Sequence, residues 1–421
     1  MMLDFFNILL IVISTAIFLR SANLFTKYQS KSLSDICIIL LYLFQIIPVI
    51  CDYAIGLPEY SKWLAGFDGA LKSRETCIIY DIYVVFIFLS LFVVSLFSQK
   101  KKGYSAYSFE TSKQPWLKVF LIVVTALPFV HFALMGNISS LLMYGSNLSR
   151  GLDSSFSSIN ANLQILAIVS LSVLYFKSSP SFFKTVLFLL AFFAISYLNG
   201  KRYMLAMGIF SFFYMYVLKR RYSASKVNLK VVIPSAVLLL LFFSSFYVTS
   251  VKTMTDGSFE STYTSMRVDF GRDDVVKYTI KKELIDGVPI LEYPGETFIS
   301  TIGMIIPRSI WESKPYPHYR YLTASLYGVK MEDIPAGMTP SVLEMFISNF
   351  GWLGMPLCII FLCWYCLKAD KTGSFSTKLL YVFILIGLLT QSLDALLIVF
   401  YVFLLIVFKD YLKANGLLDR H

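Results

Sequence analysis

Residues 77–97 read CIIYDIYVVFIFLSLFVVSLF, 21 residues with one charged side chain, Asp81. Coiled as an α-helix, such a run spans about 31 Å, the thickness of a hydrocarbon core of about 30 Å. A helix on the surface of a soluble domain would carry a polar face at the 3.6-residue period. This one is apolar all round, so its medium is lipid. Runs of the same kind recur from end to end, at 4–20, 36–57, 117–135, 159–176, 183–199, 203–218, 231–250, 342–367, 376–390 and 394–408. The expectation is an all-α polytopic membrane protein of about eleven transmembrane helices. Composition agrees: 57% of the 421 residues are hydrophobic and 15% charged, against about 25% charged in ordinary soluble domains.

The run at 5–19 follows Met1-Met2-Leu3-Asp4, which has no basic flank, and no small-residue cleavage pattern comes after it. It reads as a retained first helix and not a signal peptide. The net charge of +11 would suit nucleic acid, but most of the cations lie in short loops between apolar runs, where they orient helices. Segments 20–35, 98–116, 177–184, 219–230, 368–378 and 409–421 hold 20 Lys and Arg, and the alternate short segments hold 6. That asymmetry puts the first set in the cytoplasm, the N-terminus outside and the C-terminus inside. The domains expected are helices 1–8 within 1–250, an extracytoplasmic loop with short helices at 251–341, and helices 9–11 with a cytoplasmic tail at 342–421.

All six cysteines lie in apolar runs, so disulfides are not expected. Cys363 and Cys366 have redox-motif spacing but no βαβ context. Asn137-Ile138-Ser139 and Asn147-Leu148-Ser149 fit the glycosylation acceptor pattern. Within the large loop, 258–292 reads as one or two short surface helices. Residues 297–311, apolar but broken by Pro307, suit an interfacial or re-entrant segment.

Ionisable groups inside a bilayer are costly and concentrate at functional places. In this topology Asp52, Asp81, His131, Glu344 and Asp394 all fall at outer helix ends, apart from the edge residues Asp4, Lys118, Lys184 and Lys409. For Asp52 and Asp394 a merely wetter helix end suffices as the reading. Lys201 and Arg202 put two cations in an outer turn that should be poor in them, which suits an anionic ligand. The richest stretch, 306–321, holds Arg308, Trp311, Lys314, Tyr319 and Arg320. Pro315 and Pro317 forbid a regular helix across Lys314–His318. The chain there presents cations for phosphate oxygens and aromatic faces for sugar rings. A basic, aromatic loop touching anionic headgroups is the plainer alternative.

The Ile-Pro-Arg308…Trp311…Lys314-Pro segment in a long outer loop is followed by Glu344 and by Asn349-Phe350-Gly351-Trp352-Leu353-Gly354. Together they resemble the O-antigen or oligosaccharide repeat-unit polymerases of the Wzy type. The turn Asn199-Gly200-Lys201-Arg202 is similar to the Ser-Arg or Gly-Arg turn of those proteins but departs from the Ser-Arg form. Architecture agrees along nearly the whole chain, and motifs over about sixty residues.

The resemblance implies a metal-independent, GT-C-like glycosyltransferase in the bacterial inner membrane, with no cofactor. It would polymerise undecaprenyl-diphosphate-linked oligosaccharide units for lipopolysaccharide or another surface polysaccharide. Its partners would be that lipid-linked oligosaccharide and membrane lipid, with room for a chain-length regulator protein, and no nucleic acid. Cations for the departing diphosphate would come from Arg202, Lys201, Arg308, Lys314 and Arg320, and sugar contacts from Tyr319 and Trp311. The base would be Glu344 or His318, with Glu344 alternatively orienting an arginine. An O-antigen ligase-like transferase and a flippase or exporter of lipid-linked sugars are the competing readings. The exporter predicts internal repeats and midplane charges, and the sequence shows neither.

Overall fold

The computed structural model describes residues 2–27, 32–100, 115–135, 154–177, 182–200, 202–222, 259–303, 306, 308–334, 337–372, 374–391 and 396–414. The apolar run 231–250, Lys201, Pro307, Asp394, both glycosylation patterns and most of the cluster Lys100-Lys101-Lys102 lie outside them. There is no strand among the described residues. Six helical stretches are long and apolar enough to cross a membrane: Phe5–Thr26, Leu33–Ile55, Arg74–Gln99, Pro115–Leu134, Ile159–Phe176 and Val342–Lys371. Shorter apolar helices occupy Phe183–Asn199, Met207–Tyr216, Phe375–Thr390 and Val399–Phe408. These lengths and this composition are those of a polytopic membrane protein. Large apolar side chains such as Phe86, Phe97, Phe120 and Leu190 stay more than half exposed, as lipid-facing positions do.

The described residues within 1–101, 225–370 and 388–394 form one compact unit, and those within 102–224, 371–387 and 395–421 form another. In the first, helix α1 (Met2–Thr26) packs on α2 (Leu33–Leu41, continued by Ile47–Ile55) and on α4 (Arg74–Lys100). A π-helical turn at Tyr42–Ile46 interrupts α2, closed by the Ile47 N–H donating to the Tyr42 carbonyl. Its cause is Pro48, which has no N–H to offer the carbonyl of Phe44 four residues back. The backbone N–H of Arg272 takes that carbonyl instead, at 3.0 Å.

Between these spans stands a lobe built from two separate stretches of sequence. Helix α3 (Ala65–Lys72) meets α10 (Asp273–Ile280) and α12 (His318–Tyr327) of the large loop, which also holds α9 (Phe259–Phe270) and α11 (Glu296–Ile302). Phe67, Ala70, Val275, Tyr278, Ile290, Leu291, Tyr321, Leu322 and Leu326 make its core. Residues 58–76 and the large loop therefore share one core within the unit. Helix α10 corrects one expectation: it is no surface helix, because every residue from Asp273 to Ile280 is buried, packed on α3, α4 and α13 (Val342–Phe350).

The motif 349–354 shapes the end of α13. The Asn349 amide donates to the Met345 carbonyl and to Thr297 Oγ1, both at 2.6 Å, tying α13 to α11. Gly351 then adopts φ +56° and breaks the helix. At Gly354 a Cβ would stand 2.1 Å from the Phe346 carbonyl oxygen, so only glycine lets α14 (Gly354–Lys371) start there.

The second unit holds α5 (Pro115–Met135), α6 (Ser154–Lys177), α7 (Phe182–Asn199), α8 (Arg202–Tyr222), most of α15 (Phe375–Thr390) and α16 (Leu397–Ala414). Tyr175, Phe176, Phe188 and Phe212 interlock at ring-centroid separations of 4.6–5.6 Å, a geometry that adds to plain burial. The Asn199 amide, closing α7, donates to Gln164 Oε1 at 2.5 Å.

Candidate functional site

The most heavily charged interior of the first unit is one that sequence reasoning missed. Arg267 on α9 forks onto Asp52 at the end of α2, with Nε to Oδ1 at 2.8 Å and Nη2 to Oδ2 at 2.7 Å. The same Nη2 lies 2.8 Å from Asp273 Oδ2, which also accepts from Lys277 Nζ at 2.9 Å. Tyr263 donates to Asp52 at 2.8 Å and Tyr60 to Asp274 at 3.0 Å. Asp52 is thus no wetter helix end: its side chain is 8% exposed and bidentate. Gly271 makes the arrangement possible, since a Cβ there would come within 2.0 Å of Arg267 Nη1. Burial works to raise the Asp273 carboxyl, but Arg267 and Lys277 prevail and hold it below the usual carboxylate range. These seven side chains form a paired clamp that fixes α9 and α10 to the end of α2.

The stretch 306–321 is arranged differently. Pro315 and Pro317 keep 314–317 extended until α12 starts at His318. Ser300 Oγ donates to the Pro315 carbonyl at 3.0 Å, and the Tyr316 N–H reaches the Tyr321 hydroxyl, itself donated to Glu296. So braced, the Tyr316 ring carries the Arg308 guanidinium 4.1 Å and the Arg320 guanidinium 5.2 Å from its centroid. Lys314 Nζ donates to the Ile306 carbonyl at 2.8 Å. Partial burial and the nearby Arg308 both push its ammonium down. Among the described residues neither Arg308 nor Arg320 has a carboxylate within ion-pair distance. Two of the expected cations therefore converge on one aromatic ring, with Lys314 near enough to feel Arg308. Tyr319 packs instead against Gly337, and the Trp311 ring lies over Gly303.

Glu344 and His318, the two candidate bases, meet around Ser341. Glu344 is fully buried in a capping box at the start of α13. Its Oε2 accepts from the Ser341 N–H at 2.9 Å and from the Ser341 hydroxyl. Its Oε1 has no hydrogen-bond partner among the described residues. His318, also buried, has none among them at either ring nitrogen. With Ser341, Pro340, Val342, Met345, Leu388 and Gln391 it lines a small cavity. Burial lowers its pKa to about 3, so the imidazole is neutral at ordinary pH. Buried polar atoms left without partners are rare and mark functional places or held water. The hydrogen bonds of Glu344 go to Ser341, and Arg272 is the cation close enough to act on its charge.

Arg202 is the first residue of α8 in the second unit, and its side chain, like Lys201, lies outside the described residues. The ionisable groups are also not confined to one end of the spans. Asp35 and Asp370, both buried, sit among serines at the other end of the first unit. Asp370 accepts from Ser32, the Leu33 N–H and Ser98 at 2.5–2.8 Å, and Asp35 from Ser95 at 2.7 Å. Sequence reasoning had left both in loops, because a carboxylate that caps a neighbouring helix looks the same in sequence as one in water. In comparisons with protein-family models, curated proteins and solved structures, none matches this chain.

Proposed function

We propose that this chain is a repeat-unit polymerase. It joins undecaprenyl-diphosphate-linked oligosaccharides into O-antigen or a similar surface polysaccharide at the outer face of the inner membrane, on about eleven spans with a GT-C-like fold. The observation that carries the reading is the pair of guanidinium groups, Arg308 and Arg320, on the Tyr316 ring, with no carboxylate among the described residues within ion-pair distance of either. Planar guanidinium forks match phosphate oxygens bidentately, and a leaving diphosphate is the charge that grows in this reaction.

The acceptor sugar hydroxyl attacks the anomeric carbon of the donor. The bond from that carbon to the diphosphate oxygen breaks, and the diphosphate leaves with the electron pair onto the cations. The hydroxyl proton passes to a base. Glu344 suits that role best, since one carboxylate oxygen is held by Ser341 and the other is unspent. His318, neutral and unpartnered beside the same serine, is the second candidate.

The test is the surface-glycan pattern of a deletion strain and of Glu344→Gln at matched abundance. Loss of a polymerase leaves core bearing a single repeat, and Glu344→Gln should reproduce it. Bare core in the deletion would instead indicate a flippase, or a ligase if polymer accumulates on the lipid carrier. Long polymer from Glu344→Gln would remove Glu344 as base and leave the polymerase reading standing.

A further inference from the structure

A second concave feature of the lobe has a different chemistry. Where α2 ends, Ile55, Gly56, Leu57, Pro58 and Glu59 face Glu260, Tyr263 and Thr264 of α9 across an open groove of about 380 Å³. That volume falls within the range of about 300–1,000 Å³ typical of small-molecule sites. Among the described residues two carboxylates line it and no cation does. Ile55 and Leu57 expose apolar surface at 49% and 47%. The Tyr263 ring is held in place because its hydroxyl is spent on Asp52 and on the Gly56 carbonyl at 3.2 Å.

Carboxylates that only accept hydrogen bonds suit ligands rich in hydroxyl or ammonium donors. Apolar side chains and a fixed aromatic ring suit the C–H faces of a pyranose. An anionic ligand would meet repulsion from Glu59 and Glu260 with nothing to offset it. Tyr60, next to Glu59, and Tyr316, beneath Arg308 and Arg320, pack against the same apolar core. One rigid lobe therefore carries the acid-lined groove and the cation patch together.

We propose that this groove is a glycan subsite that binds neutral or amino-bearing sugar rings and excludes acidic ones. Its place in the reaction, holding rings of a repeat unit while Arg308 and Arg320 hold diphosphate, rests on the polymerase reading. Its binding chemistry does not.

The experiment is ligand-observed saturation-transfer NMR on the full-length protein in micelles. The probes are maltotetraose (neutral), a glucosamine tetramer (amino-bearing), a hyaluronan tetramer (acidic) and tetralysine. Transfer is expected from at least one of the first two and not from the acidic tetramer. The double variant Glu59→Gln/Glu260→Gln should cut it at least fivefold, and Thr264→Tyr, which fills the groove without changing charge, should do the same. Both variants must melt with the parent. The proposal falls if the acidic tetramer binds equally, if either groove variant keeps full transfer, or if neither of the first two sugars gives any. A stronger response to tetralysine than to any sugar would also overturn it and assign the groove to basic peptide. A deletion strain with unaltered glycan would remove the polymerase reading while leaving a positive binding result in force.

Discussion

Two groups of cations in the same lobe are treated in opposite ways. Arg267 and Lys277 are buried and spend their charge on Asp52 and Asp273. Arg308 is exposed, Arg320 half-buried, and both rest on an aromatic ring with no carboxylate among the described residues in ion-pair reach. A buried charge must be paired or it is too costly to keep, so the first group records what the fold needs. The second group meets no such requirement, because water solvates it. Its assembly by two prolines, a serine and a tyrosine is organisation that stability alone does not demand.

The largest expected effect separates the two. Arg267→Ala strands Asp52 and Asp273 and should destabilise the lobe by about 3–5 kcal/mol, the range for breaking one side of a buried pair. Abundance and thermal unfolding of the purified protein read this directly. Asp52→Ala combined with Arg267→Ala should cost far less than the sum of the single variants. Additive losses would mean that the fork is not a coupled unit.

Arg308→Ala and Arg320→Ala should leave stability within about 0.5 kcal/mol, as surface substitutions do. Surface polymer should nevertheless be abolished, and lysine at either position should restore part of it, keeping charge but not the planar fork. A stability loss comparable to that of Arg267→Ala would erase the distinction between the groups.

A smaller effect is a pH dependence. His318 in the folded chain has a pKa near 3 through burial, below the ordinary 6.5. The unfolded chain therefore binds the proton first. Stability contributed at neutral pH should fall away as pH drops from about 6.5 toward 3, and His318→Phe should flatten that limb of the melting-temperature profile. An unchanged limb would show that His318 is solvated in the working protein. The smallest effect is expected of Lys314→Gln, a loss of polymer of a few-fold that deepens in high salt, since screening weakens the cations that remain.

How much of this was legible depends on where partners lie along the chain. Spans such as 77–97 were readable because a lipid-facing helix needs only local apolarity, and that is written residue by residue. The cations of the patch were readable too, since Arg308 and Arg320 lie within 13 residues of each other and the prolines between them forbid helix, but the ring was not: Tyr319 and Trp311 were expected, and Tyr316 carries both guanidinium groups. Helix α10 was misread as a surface element because Asp-Asp-Val-Val-Lys-Tyr-Thr-Ile looks solvated. The cation that buries its first aspartate also pairs with Asp52, 215 residues away from Arg267. No periodicity carries a pairing of that separation. The capping box at Ser341 and Glu344 was hidden in plain view, since its spacing is a known helix-start pattern and Glu344 had been weighed only as a base or as the partner of an arginine.

The contact between the Arg272 N–H and the Phe44 carbonyl has a consequence of its own for how this protein tolerates change. It is made by the main chain on both sides and created by what Pro48 lacks, so it is indifferent to salt, to pH and to the identity of residue 272. Drift in sequence can strip charges from the lobe one at a time while this seam still holds its edge to α2. Only two kinds of substitution would open it: proline at 272, which removes the donor, or a residue with an N–H at 48, which lets the helix reclaim its own carbonyl.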